Sequence, residues 1–205
     1  MHKTDNYLFP LFQNFTNNIS ALGKLTHADK RSWAATCALI CAMIYTNSTG
    51  WYITEKNISF KERNEYCLRH LQTILSEVKR FELNYKTSQN NNAKSFSLHL
   101  KELLDMNLLF GPIENLRKKI GTGCIATESV VFAIAVFLRN PTDFQKGILE
   151  AVNSGGDCDS TASMVGSLIG SVVGVEGIPK EWKNFNPKFK EAEILGKEFY
   201  DVFKR

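Results

Sequence analysis

The sequence lacks an apolar run long enough to cross a membrane. Its longest apolar segments, residues 34–45 and 130–138, have charged or polar neighbours. Both fall well short of the ~20 residues that a transmembrane helix needs. Residues 1–6, Met-His-Lys-Thr-Asp-Asn, do not contain the apolar stretch of a signal peptide. We therefore expect an intracellular, cytoplasmic protein with no membrane partner.

A strong excess of charge is also missing. The formal net charge is only +4 in a chain of 205 residues. The basic residues are scattered, and the cluster at 117–119 is short, which is more typical of a solvated face than of a stripe that binds nucleic acid. On this basis we expect no nucleic-acid partner.

Cysteine pairs of the C-x-x-C type are absent as well. The chain has five cysteines, an odd number, and none of them forms a C-x-x-C pair. Cys37 and Cys41 are four residues apart in an apolar helical pattern, so we expect both on one helix face as small core residues. This cysteine usage argues against a disulfide framework and agrees with a reduced, intracellular environment.

Strand signals are scarce, whereas helical periodicity covers most of the chain. We expect an all-α fold in a single domain over residues 1–205. Asp29 is the expected cap of the helix predicted over residues 31–46, and residues 84–94 are an expected exposed loop. Glycines at every fourth position from 166 to 174 would let another helix approach closely. The pattern predicts helices over residues 31–46, 60–81, 97–109, 113–119, 126–139, 144–152, 161–175 and 189–203.

The most informative motif is Gly-Gly-Asp-Cys-Asp-Ser at positions 155–160. Two carboxylates one residue apart, beside hydroxyls, form a cluster of the hard oxygen ligands that magnesium and calcium prefer. Gly155 and Gly156 permit a sharp turn that brings the acids together. Asp159 or Ser160 would then cap the following helix. For an isolated motif of this kind, an Asp-rich turn that caps a helix is the commoner interpretation.

Two further elements accompany this motif. They are Leu-Thr-His-Ala-Asp at 25–29 and Gly-Thr-Gly-Cys-Ile-Ala-Thr-Glu-Ser-Val at 121–130. In this order, the three elements resemble the ADP-ribosylglycohydrolase family, and within it the branch that acts on serine-linked and poly-ADP-ribose. The resemblance runs from about residue 18 to residue 205 and is weakest over 52–95.

The resemblance implies a compact all-α fold with a pair of magnesium ions (Mg²⁺) in a central cleft. It also implies hydrolysis of the bond between ADP-ribose and its acceptor, so ADP-ribose or an ADP-ribosylated protein is the implied ligand. By position, Asp157, Asp159 and Ser160 match the metal ligands of the family's second acidic motif. Threonine is more common in the family at position 160, and serine keeps its hydroxyl. Cys158 replaces another common threonine, at a position that the metal does not need.

The implied ADP-ribose contacts are His27, Gly121, Gly123 and Cys124. His27 matches a histidine that lies beside bound ADP-ribose in the family, although from the residues alone a histidine bonded to backbone at a helix start is an equal alternative. Gly121, Gly123 and Cys124 match a loop whose backbone approaches the ligand, although an ordinary turn is the commoner use of Gly-x-Gly. Glu128 is left open between a support of the site and a core carboxylate.

The sequence also departs from the family pattern. Family members begin with a further segment that carries a glutamate of the chemical step and a Thr-Asp-Asp triplet, which supplies the other half of the metal shell. We find no counterpart of this segment, so we expect a fold that lacks the family's N-terminal helices, and the catalytic residues stay unassigned. Residues 4–6, Thr-Asp-Asn, lack the second acid of the triplet and lie too near His27.

Three hypotheses remain open. The first is a magnesium-dependent hydrolase whose missing half comes from a complementing chain or from unrelated residues of this chain. The second is a catalytically inactive relative that binds ADP-ribose or a protein partner through the retained half-site. The third is a structural remnant whose apolar cleft favours self-association into a homo-oligomer.

Overall fold

The described part of the chain is helical. The computed structural model describes residues 5–55, 58–85 and 94–203. No β-strand occurs within these ranges, so the predicted all-α class is confirmed. Short 3₁₀ turns lie at Glu102–Leu104 and Val175–Gly177. The helices are Asp5–Thr26 (α1), Lys30–Glu55 (α2), Phe60–Tyr85 (α3), Phe96–Lys101 (α4), Met106–Phe110 (α5), Ile113–Ile120 (α6), Ala126–Arg139 (α7), Phe144–Val152 (α8), Cys158–Val173 (α9), Lys180–Phe185 (α10) and Phe189–Phe203 (α11).

Helix α7 forms the centre of the core. Every side chain over 129–138 is buried, which follows from a sequence that is apolar on all faces of the helix. Helices α2, α4, α6, α8 and α9 all pack against it. Because α7 is enclosed in this way, its N-terminus and the loop 121–125 before it have a fixed position in the fold.

Helices α8 and α9 approach each other closely at glycine positions. A Cβ added to Gly147 on α8 would lie 2.3 Å from Cδ1 of Ile169 on α9. The predicted glycine stripe on α9 contributes at Gly166, where an added Cβ would lie 3.2 Å from Cδ1 of Ile148. Gly174 instead ends α9 and has open space around it. The close packing holds the second half of α9 against the first half of α8.

The prediction of one helix over residues 97–109 is wrong, because Asp105 interrupts it. Asp105 has an extended backbone, and its carboxylate accepts hydrogen bonds from the amides of Asn107 at 2.9 Å and Leu108 at 3.4 Å. Aspartate competes for backbone donors in this way and so favours the start of a new helix over the interior of an old one. The segment therefore contains α4, a 3₁₀ turn and α5.

Other helix boundaries also differ from the prediction. The cap of α9 is Asp157 rather than Asp159 or Ser160, because the turn at Gly155 and Gly156 is complete before Asp157 and the helix begins at Cys158. Helices α1 and α10 were not predicted. Helix α3 continues through Tyr85, and most of the loop predicted over 84–94 lies outside the described residues.

Two local predictions are confirmed. The Asp29 carboxylate accepts a hydrogen bond from the Arg31 amide at 2.9 Å and so caps α2. Cys37 and Cys41 are buried on α2 with their Sγ atoms 3.9 Å apart. No helix within the described ranges has both the length and the apolar character that are needed to cross a bilayer.

Large apolar side chains are exposed on the helices at both ends of the described chain. Leu22 and Leu25 are exposed on α1, and Ile194 and Leu195 are exposed on α11. Self-association through such surfaces stays a prediction.

Arg139, at the end of α7, joins three parts of the fold. Its Nη1 donates to the carbonyl oxygens of Leu109 at 2.6 Å and Gly111 at 2.8 Å, and its Nη2 lies 2.7 Å from Oε1 of Glu150 on α8. The Arg139 and Glu150 side chains are only 15% and 14% exposed. Arg139 therefore ties the end of α5 and the following Gly111 to α7 and α8 in a region with little solvent.

We expect Arg139→Met to lower the free energy of unfolding by about 3 kcal/mol, because it leaves the partly buried Glu150 carboxylate without its charged partner. The control is Lys119→Met, since Lys119 is 59% exposed and lies 3.2 Å from Glu102. Because Lys119 is exposed and Glu102 keeps its pairing with Lys94, the Lys119–Glu102 pair should contribute no more than about 0.5 kcal/mol. Urea denaturation of both variants measures the difference, and equal losses would contradict the assigned role of Arg139.

Burial of His70 predicts a dependence of stability on pH. His70 lies on α3 and meets the ring of Phe137 edge to face, with ring centroids 5.9 Å apart. Burial lowers the pKa of His70 from 6.5 to about 4. Between these two values the unfolded chain binds a proton that the folded chain does not, so the folded state loses stability as the pH falls.

We expect the free energy of unfolding to decrease by about 3 kcal/mol through this group as the pH falls from 7 to 4. A His70→Met variant should show a shallower decrease over the same range, because it has no group to protonate. Urea denaturation at a series of pH values compares the two proteins, and an unchanged slope in the variant would rule out His70 as the source.

Candidate functional site

A backbone hydrogen bond joins the two glycine-containing loops of the candidate site. The Asp157 amide donates to the carbonyl oxygen of Thr122 at 2.7 Å. Gly156 makes this approach possible, because a Cβ at that position would lie 2.0 Å from the same carbonyl oxygen. Loop 121–125, between α6 and α7, therefore lies directly against loop 153–157, between α8 and α9.

The three predicted metal ligands lie together at the start of α9. Asp157 is half-buried, and Asp159 and Ser160 are exposed. The pKa of Asp159 lies below its ordinary value, chiefly because the Ser160 amide stabilises its carboxylate, with further effects from the Asp157 side chain and from its own amide. Two carboxylates one residue apart repel each other, and a bound cation would relieve this repulsion.

The donor set is chemically suited to one side of a magnesium site. Carboxylate and hydroxyl oxygens are the ligands that this hard cation prefers. The buried hydroxyl of the next residue, Thr161, has no hydrogen-bond partner among the described residues. No group of three or more His, Cys, Asp or Glu side chains in the described ranges is placed to hold a metal ion. Further positions of an octahedral shell would therefore fall to water or to groups outside this set.

Glu128 holds loop 121–125 from the first turn of α7. Its Oε2 accepts a hydrogen bond from the Gly123 amide at 2.8 Å. A Cβ added to Gly121, whose φ is +89°, would lie 2.4 Å from the same oxygen. Both glycines thus make room for the carboxylate. The alternative that the sequence left open is resolved, because Glu128 binds the site loop and does not lie in the apolar core.

A cavity of about 890 Å³ lies on the other side of this loop. Side chains of α1, the first turns of α2 and the N-terminal end of α7 line it, together with His27 from the α1–α2 connection and Cys124 from loop 121–125. Its apolar wall includes the indole of Trp33. Asp157, Asp159 and Ser160 are not among the lining residues. The structure thus divides the predicted site into a cavity and an acidic turn that share one loop.

His27 lies exposed just beyond the end of α1. Its ring Nδ1 is 2.8 Å from the hydroxyl of Thr26, and its carbonyl oxygen accepts a hydrogen bond from Nε1 of Trp33 at 3.0 Å. Among the described residues the ring is bonded to the Thr26 side chain and not to backbone, contrary to the alternative that the sequence left open. With Nδ1 occupied by Thr26, Nε2 is the ring nitrogen that can meet a ligand in the cavity.

Sequence analysis missed two residues that shape the cavity. Trp33 lies within the helix predicted over 31–46 and was given no role, yet it packs on Gly23, where an added Cβ would lie 2.4 Å from its Cδ1. Arg31 lines the cavity and is held by Asp29, with Nη2 2.6 Å from Oδ2. The Gly23 contact brings together residues of two helices, and no local pattern contains that information.

The helical architecture, the carboxylate pair at a glycine turn and the neighbouring cavity agree with the family that the motifs suggested. The sequence profile described as ADP-ribosylglycohydrolase matches residues 9–205. The chain belongs to the ADP-ribosylglycohydrolase family, so the family prediction is confirmed.

Individual relatives support this membership. The chain is 32% identical over 123 residues to the ADP-ribosylhydrolase ARH3 of Mus musculus, a match that covers 54% of this chain and 33% of that protein. It is 24% identical over 204 residues to the ADP-ribosylhydrolase ARH3 of Danio rerio, covering 89% of this chain and 54% of that protein. It is also 32% identical over 108 residues to the ADP-ribosylarginine hydrolase Tri1 of Serratia proteamaculans, covering 50% and 28%. The chain thus spans between about a quarter and about half of the length of these relatives.

The contact between Gly156 and Thr122 predicts different effects for two adjacent glycines. Gly155 and Gly156 have similar φ values, +70° and +68°. Alanine at either position should lose about 1 kcal/mol from the left-handed backbone. Only at Gly156 does the new methyl group collide with backbone, whereas at Gly155 the nearest atom, Nη2 of Arg117, is 3.8 Å away.

We therefore expect Gly156→Ala to lower the free energy of unfolding by about 2 kcal/mol more than Gly155→Ala, because the loops must move apart. Chemical denaturation of the two variants measures this difference. Equal losses would show that the loops do not pack as described.

Proposed function

We propose that this chain takes part in hydrolysis of the bond between ADP-ribose and its acceptor in ADP-ribosylated proteins, with magnesium as the metal ion. The observation that carries the proposal is the 2.7 Å hydrogen bond from Asp157 to Thr122. It places the carboxylate pair beside the loop that borders the cavity, so a ligand in the cavity could present its bond to the acidic turn. Family membership supports the same reaction class.

Asp157, Asp159 and Ser160 would hold the cation with two carboxylates and a hydroxyl. A bound magnesium ion would act as a Lewis acid toward an oxygen of the substrate or of the attacking water. The chain itself would pre-orient these ligands through the backbone, because Asp157 occupies the N-cap position of α9 and its amide is fixed on Thr122. Because two neighbouring carboxylates repel each other, a cation bound between Asp157 and Asp159 would also neutralise this repulsion.

The cavity would bind the ADP-ribose group. Its volume of about 890 Å³ is within the range of sites for small molecules and cofactors. Trp33 and Val130 supply apolar walls that exclude water, and His27 offers Nε2 as a polar contact. Arg31 adds a positive charge, held in place by Asp29, which suits a ligand that carries phosphate groups.

Binding of ADP-ribose without turnover is the second candidate. It is favoured by the lack of a third acidic side chain beside Asp157 and Asp159 within the described ranges. In that case the cavity and the half-site would recognise ADP-ribose and release nothing. The two candidates differ in a single measurable quantity, the amount of free ADP-ribose formed.

The test incubates the 205-residue chain with magnesium and a protein that carries ADP-ribose on serine, and separately with one that carries it on arginine. Released ADP-ribose is measured by mass spectrometry. We expect Asp157→Asn and Asp159→Asn to lower the release on the order of a hundredfold or more, because each removes a charged ligand of the cation.

Asp201→Asn is the matched control, since Asp201 is an exposed aspartate on α11 and should leave the release unchanged. Calorimetry with ADP-ribose accompanies the assay. Binding without release from either substrate would favour the second candidate. Neither binding nor release would contradict both.

A further inference from the structure

One peptide group lies at the junction of the candidate site. The carbonyl of Thr122 and the amide of Gly123 belong to the same peptide group, so they point in opposite directions from one rigid plane. The amide donates to Oε2 of Glu128 at 2.8 Å, and the carbonyl accepts from the amide of Asp157 at 2.7 Å. The peptide group is thus held from one side by Glu128 and from the other by Asp157.

Glu128 is well placed to fix the orientation of this peptide group. It lies in the first turn of α7, the buried helix, so its backbone cannot move with the loop. A charged acceptor makes a stronger hydrogen bond than a neutral one. Glycine at position 123 would otherwise let the peptide group rotate easily. Without Glu128, little among the described contacts would keep the Thr122 carbonyl directed at Asp157.

The two hydrogen bonds should also strengthen each other. A carboxylate that accepts from the amide polarises the peptide group, and its carbonyl oxygen then becomes a better acceptor. The Asp157 amide is the donor to that oxygen, and the Asp157 side chain follows in the acidic turn. The effect of Glu128 therefore reaches the carboxylate pair without any contact between Glu128 and the substrate.

We infer that Glu128 is a positioning residue that sets the acidic turn through the Thr122–Gly123 peptide group. As a role in the reaction, this inference rests on the proposed function. As a structural statement, that Glu128 controls the backbone of Asp157, it stands on the two hydrogen bonds alone. From the first turn of α7, the Glu128 carboxylate holds loop 121–125, which borders the cavity. Through this loop it also positions the turn that carries Asp157 and Asp159.

The test measures amide hydrogen exchange by NMR in the full chain. We expect Glu128→Ala to speed exchange of both the Gly123 and the Asp157 amides by roughly tenfold, because each loses hydrogen-bond protection. The Gly147 amide, which donates to the Asp143 carbonyl at 3.0 Å within α8, should not change. Glu128→Gln keeps an acceptor oxygen and should restore most of the protection at both sites.

Glu114→Ala is the matched control, because Glu114 is an exposed acid in the first turn of α6 and should alter neither amide. Faster exchange at Gly123 with unchanged exchange at Asp157 would overturn the inference, since Glu128 would then hold only its own loop. If the Gly147 amide also exchanges rapidly in Glu128→Ala, the variant is unfolded. Glu128→Asp, which is shorter by one methylene group, then replaces it, with the same expected pattern.

Release of ADP-ribose is measured on the same variants. We expect it to fall in Glu128→Ala and to recover in Glu128→Gln. Coupled exchange at Gly123 and Asp157 in a chain that releases no ADP-ribose would contradict the proposed function and retain the structural role of Glu128. Release that is unaffected in Glu128→Ala, despite faster exchange at Asp157, would overturn the role of Glu128 in the reaction and leave the proposed function standing.

Discussion

The candidate site depends on the hydrogen bond between the Asp157 amide and the Thr122 carbonyl. It joins two loops that are distant in the sequence and belong to different helix pairs. On one side of this contact lies the cavity with His27 and Cys124, and on the other lies the carboxylate pair. If the two loops separated, the cavity and the carboxylate pair would each keep their residues, but a ligand in the cavity would no longer lie beside the acidic turn.

The surrounding helices make this contact possible. Helix α7 is enclosed by its neighbours, so the loop at its start has little freedom. The loop between α8 and α9 is short, and those helices pack closely at Gly147. Arg139 and Glu150 fix the far end of α7 to α8, and the Ser154 hydroxyl donates to the Glu150 carbonyl at 2.6 Å. The position of Asp157 is thus a consequence of core packing at some distance from the acids.

Much of the helical framework could be predicted from the sequence, and the reasons for the errors are physical. The boundaries of α7 and α8 are those that the sequence predicts, because apolar periodicity and clear stop signals agree there. The break at Asp105 was missed because a capping aspartate outweighs the apolar pattern around it. Helix α1, with its proline and several asparagines, has low intrinsic helix propensity. It depends on packing against α2, and a local pattern does not reveal such contacts.

The site could be predicted in its parts and not in its assembly. The residue types at 155–160 indicate oxygen ligands, and Gly-x-Gly at 121–123 indicates a turn that a ligand can approach. Neither motif by itself predicts that the two loops pack against each other. Gly156 is close-packed on Thr122, and Gly121 is close-packed on Glu128. Each glycine therefore leaves room for a contact made by the other loop or by the helix that follows. Gly121 and Gly156 both leave room beside the Thr122–Gly123 peptide group. A side chain at either glycine would therefore disturb a hydrogen bond on which the acidic turn depends.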